Sequence, residues 1–236
     1  MKLPEILESN HVEQAAALVN EYYTKTYRRD EIQTGARFES WADGGDARKV
    51  VNTITADDLI AVTFLSVDVP GAAAIGILET HKNEISGLLE QIPANLELAN
   101  VSAEDFAVRL GPDSAAVKLW KILRQSNAER WGVGQTIASK IMARKRPRLI
   151  PIYDSVVAPL MGLKDSDNQW ITWHDVLTDG TGLPERLKTI HKLSGVAPDA
   201  SALRIMDVVL WKYGKSLTST KKSQADVSVE MATQLV

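Results

Sequence analysis

Residues 130–140 read Arg-Trp-Gly-Val-Gly-Gln-Thr-Ile-Ala-Ser-Lys, and this segment limits the folds open to the chain. Gly132 and Gly134, with the single apolar Val133 between them, permit a tight turn with positive φ. A helical stripe of Ala116, Leu119, Trp120 and Leu123 precedes it, and a new helix follows the turn. Val133 can pin such a turn from inside. The backbone N–H groups of the turn and of the next helix's first residues then face outward, as a positive pole suited to a phosphate. A contact of that kind fixes position and reads no base sequence. Gly132, Gly134 and Ala138, with Asp154 about 20 residues on, also fit a dinucleotide-binding spacing. That unit needs an apolar strand before its first glycine, and residues 125–130 are polar. A plain helix–helix turn with a glycine cap is the remaining reading.

Charge is unevenly distributed around this segment. The chain of 236 residues has a net charge of −3, yet from Lys118 to Arg148 nine basic residues stand against one acidic residue, Glu129. This asymmetry is a footprint for a polyanion, and its plain alternative is a solvated basic face. Cysteine is absent, which excludes disulfides, thiolate catalysis and cysteine-held metal or iron–sulfur sites. No stretch approaches a membrane span or a signal peptide, so no membrane role is expected and a cytoplasmic location fits. His11, His81, His174 and His191 show no metal-ligand spacing, so no metal and no cofactor are expected.

Hydrophobic periodicity predicts helices throughout. One spans 11–27, with Tyr22, Tyr23 and Tyr27 near its end. Residues 33–53 read as a loop. Thr55 and the carboxylate at Asp58 read as a helix cap before an apolar run that Pro70 closes. A second helix covers 71–91, and Pro93 to Gly111 is a connector. Further helices start at Pro112–Asp113, at Asp154, near Trp173 and at Pro198. The expected class is all-α: residues 1–217 form one domain of two lobes around a helix-hairpin-helix at about 113–162, and 218–236 form a flexible tail.

Downstream of the turn, Arg148-Leu149-Ile150-Pro151-Ile152-Tyr153 delivers Asp154 to the start of a helix. Asp is a preferred N-cap, and a carboxylate held there can also stabilise a sugar cation or orient water. The Gly132-Val133-Gly134 turn, the basic helix after it and Asp154 twenty residues past Gly134 resemble the helix-hairpin-helix DNA glycosylase superfamily. The Arg146–Asp154 stretch is also similar to one in uncharacterised actinobacterial proteins. The superfamily resemblance implies a two-lobed helical fold, duplex DNA as partner, and a target nucleotide flipped into a cleft. It implies Asp154 as the catalytic carboxylate, and backbone contacts from Gly132, Val133, Gly134, Gln135 and Thr136. Lys140, Arg144, Lys145 and Arg146 would attract the phosphates. Bifunctional members carry Lys where this chain has Thr136, which leaves a monofunctional, water-using N-glycosylase. The alternative is a non-catalytic DNA-binding or protein-interaction module that kept the fold.

Three further residues are candidates for a base pocket: Trp41, Tyr153 and Asp207. Tyr22, Tyr23, Tyr27, Phe38 and Trp41 cluster near the glycine-rich loop, where stacking competes with ordinary core packing. Asp207 shares a helical face with Leu203, Leu210 and Trp211, so it is expected either to pair, with an Arg for instance, or to serve a site.

Overall fold

The computed structural model describes residues 3–26, 32–125 and 131–233. Among them there is no β-strand, only one isolated antiparallel bridge between Thr26 and Ile32. The fold is all-α. Its helices are α1 (Val12–Thr24), α2 (Ala56–Thr63), α3 (Gly71–Ile75), α4 (Lys82–Gln91), α5 (Ala103–Leu110), α6 (Ala115–Arg124), α7 (Gln135–Lys145), α8 (Val157–Leu160), α9 (Gln169–Thr178), α10 (Leu183–Ser194) and α11 (Ala202–Thr233). No helix among the described residues is long and apolar enough to cross a membrane.

Local chemistry explains many of the boundaries. At α2 the expected cap is a full capping box: Asp58 N donates to Thr55 Oγ1 at 3.2 Å, and Thr55 N donates to Asp58 Oδ2 at 2.9 Å. Ser114 caps α6, so that helix begins slightly after Pro112–Asp113. Between α3 and α4 the chain widens into one π turn, Gly76–Thr80, where Gly76 lies against the Trp131 ring. The region 93–111, expected as a connector, contains α5, started by Asp105 N donating to Ser102 Oγ at 3.1 Å. Helix α11 continues into the expected tail, as far as Thr233. After Gly214 there is neither Gly nor Pro to interrupt it.

The buried residues form one contiguous cluster. Helix α1 packs on α10 and α11, α4 packs on α6, and α7 packs on both α2 and α6. Helix α7 lies inside this arrangement, and every residue from Ala138 to Lys145 is buried. Its position sets the geometry of the candidate site.

Candidate functional site

The turn before α7 follows part of the sequence reading. Val133 is buried while Gly132 and Gly134 are exposed. Gly132 has φ +87°, and a Cβ there would sit 2.9 Å from Pro70 Cγ. Gly134 is extended, with φ −83°, and begins α7 with no side-chain cap. The left-handed backbone is thus needed only at the first glycine. Gln135 Oε1 accepts from Ser166 N at 3.3 Å, and Thr136 is half-buried. Arg130, counted among the basic residues, and Tyr27, counted among the aromatic ones, lie outside the described residues.

The basic residues of α7 and Arg146 just after it do not form a surface. Lys140, Arg144, Lys145 and Arg146 are each no more than 3% exposed. Arg144 Nε donates to Asp58 Oδ1 at 3.1 Å, and its terminal nitrogens donate to the carbonyls of Phe38, Glu39 and Trp41. Lys145 Nζ donates to Asp58 Oδ2 at 3.0 Å and to Val50 O at 2.8 Å. Arg146 donates to the carbonyls of Val51, Leu89, Ile92 and Lys145 and to Asn52 Oδ1, and burial pushes its pKa down to about 10. Lys140 Nζ donates to Leu65 O at 2.8 Å. The expected role for these four as phosphate attractors is therefore corrected. The irregular segments packed around α7 present carbonyls that need donors, and long cationic side chains supply several each. These four cations form an internal scaffold.

Asp154 is placed differently. Its Oδ1 accepts from Val156 N at 2.8 Å, closing a turn ahead of α8. Its Oδ2 lies 3.9 Å from Lys140 Nζ. The carboxylate, 18% exposed, lines a cavity of about 260 Å³ with Thr136, Lys140, Tyr22, Trp211 and Asp207. Tyr22 and Trp211 meet edge to face there, with ring centroids 5.9 Å apart. Burial lowers the pKa of Lys140, opposed by the charges of Asp154 and Asp207.

Asp207 pairs with an Arg and also lines a cavity wall. Its Oδ2 accepts from Arg204 Nη1 at 2.7 Å, and it lines this cavity as well as a second, larger one of about 450 Å³. Burial raises its pKa to about 6, with Arg204 opposing and Asp154 adding to the rise. Arg204 is itself held by Glu39, Tyr22 Oη and Gly35 O.

Tyr153 and Trp41 line neither cavity. Tyr153 is buried, and its N–H donates to Ser139 Oγ at 2.9 Å. Trp41 packs edge to face on Phe64, and its indole N–H donates to Asp57 at 3.1 Å. The pocket roles expected for these two give way to packing. Arg204 and Trp211 escaped the sequence reading as site residues. The only available signal was their spacing from Asp207, three residues before and four after it on one helical face.

Residues 15–214 match a family of unknown function, DUF6308. The chain belongs to that family. The matched span takes in every residue lining the two cavities except Lys215. Neither a curated protein nor a solved structure matches the chain. The glycosylase resemblance therefore stands on the turn and Asp154 alone.

Proposed function

We propose that this DUF6308 protein is a monofunctional DNA N-glycosylase acting through Asp154. The observation that carries the reading is the Asp154 carboxylate on the wall of a cavity that also reaches Thr136, in the first turn of α7. A flipped nucleotide would place its base between the Tyr22 and Trp211 side and the Asp207 end. Its C1′ would then face Asp154. As the bond from C1′ to the base nitrogen breaks, its electron pair leaves with the base. The carboxylate stabilises the positive charge left on the sugar, and water adds to C1′ and loses a proton. Lys140, 3.9 Å from the carboxylate on the same cavity wall, helps fix its direction. With the cations of α7 turned inward, the phosphate contact falls to the backbone of Gly132–Thr136.

A non-catalytic module is the second reading, favoured by the burial of Lys140, Arg144, Lys145 and Arg146. Release of free base from damaged, mismatched and modified duplexes distinguishes the two. The wild type is expected to release a base, and Asp154→Asn to lose about 10²–10³ in rate while keeping its fold. Equal release by the variant removes Asp154 from the mechanism. No release from any duplex leaves the second reading.

A further inference from the structure

The larger of the two cavities is not the one at Asp154. We infer that this cavity, about 450 Å³, is a binding site for a small organic cation with an apolar body. Its interior offers Phe38, Ile150, Ile152 and Leu203, all buried side chains. Its lining carries five carboxylates, from Glu39, Asp43, Asp46, Asp199 and the shared Asp207, against the three guanidinium groups of Arg144, Arg148 and Arg204. The cations among the lining residues are already engaged. Arg144 is held by Asp58, Arg148 by Asp46 at 3.0 Å, and Arg204 by Glu39 and Asp207. Asp43 and Asp199 are exposed and make no ion pair among the described residues. The mouth therefore carries uncompensated negative charge over an apolar interior. That combination draws in a cation and repels an anion.

The cavity wall is also built to stay open. Arg144 and Arg204 tie down the segment from Gly35 to Trp41 through its carbonyls. Gly45 closes on Arg144 so tightly that a Cβ there would lie 2.4 Å from the Arg144 carbonyl oxygen. The scaffold of buried cations thus shapes this cavity before any ligand arrives, which spares binding the cost of ordering the wall.

A methyl-resolved NMR titration at low salt tests the assignment, with 2-phenylethylammonium as probe. The alcohol 2-phenylethanol and the anion 3-phenylpropanoate serve as its neutral and negative counterparts. Ile150 and Leu203 line only the larger cavity, and Val156 and Val208 only the smaller. The ammonium probe is expected to move the Ile150 and Leu203 methyls, with the alcohol weaker and the anion inert. The exposed pair Asp43→Asn and Asp199→Asn should together weaken the cation about fivefold, as removal of two solvent-screened charges implies. The inference fails if the alcohol or the anion binds as tightly, or if the double variant binds the cation unchanged. It also fails if shifts are confined to Val156 and Val208, or if none occur at roughly 10 mM probe. None of these results depends on glycosylase activity.

Discussion

Asp58 holds together two parts of the structure that are remote in sequence. One of its oxygens meets Arg144 Nε at 3.1 Å, and the other meets Lys145 Nζ at 3.0 Å and closes the capping box with Thr55. All three charged groups are buried. Removing the carboxylate leaves two cations without their counter-charge, and removing one partner of a buried ion pair costs about 3–5 kcal/mol. Asp58→Ala is therefore expected to lower the unfolding free energy by about that amount in urea titrations. A loss below about 1 kcal/mol would mean that the carbonyls around Arg144 and Lys145 suffice alone. Asp207 supplies a pH dependence of opposite origin. Its ordinary pKa of 3.8 rises to about 6 through burial. Across that window the folded protein keeps a proton that the unfolded chain has lost, so the stability linked to Asp207 is full below about pH 4 and declines as pH rises through about 6. Asp207→Asn lacks this decline. The unfolding free energy of the wild type should fall relative to the variant by roughly 3 kcal/mol between about pH 4 and pH 7. A difference that stays constant with pH would place the Asp207 titration elsewhere.

Helix α7 shows what a one-dimensional reading can and cannot see. The helix itself, the turn before it and the inward Val133 followed from two glycines and an apolar residue between polar neighbours. The direction of Lys140, Arg144, Lys145 and Arg146 did not, because a basic helix reads as exposed unless its surroundings are known. Their partners are Asp58, Leu65 O and carbonyls or side chains of the segments 38–41, 50–52 and 89–92, more than fifty positions away in the chain for every carbonyl but that of Lys145. Short helices were missed for a different reason. Helix α5 has only 8 residues, and its cap at Ser102 sat in a stretch read as connector. Helix α10 carries Pro184 in its first turn and a left-handed Gly195 after its end, both of them boundary signals present in the sequence. The catalytic candidate Asp154 was legible from spacing, whereas the cavity it lines takes its far wall from α11. Packing between elements also sets the next prediction. A Cβ on Gly76 would lie 1.7 Å from Trp131 Cζ3, and the Trp131 indole N–H already donates to Leu123 O at 2.6 Å. Gly76→Ala must displace that ring or the π turn, at a cost of about 1–3 kcal/mol. Chemical denaturation of the variant reads this cost directly, and an unchanged midpoint would show that the ring moves freely.

At the scale of the whole molecule, four of the nine cations between Lys118 and Arg148, namely Lys140, Arg144, Lys145 and Arg146, serve the interior, and the overall charge of −3 is the better guide to how the surface meets a polyanion. A duplex bound at the Gly132–Thr136 turn would find few side-chain cations nearby. Ser166 contacts Gln135 across this corner, which brings the exposed Lys164 into its neighbourhood. Lys118 is exposed on α6, which packs against α7. Two or three neutralised phosphates imply a log–log dependence of the binding constant on salt with a slope of about −2 to −3. Lys164→Ala should lower the magnitude of that slope by about 1, as loss of one phosphate contact does. Lys140→Met should leave the slope of the folded protein unchanged, because Lys140 donates to Leu65 O and lies beside Asp154 rather than at the surface. Filter-binding or anisotropy titrations over a range of salt concentrations measure all three quantities. A slope of about −5 or steeper would require the α7 cations to reach phosphate, and hence α7 to leave its buried position on binding. A slope near zero would argue against DNA as a partner, and with it against the glycosylase reading, while leaving the cation site proposed for the larger cavity untouched.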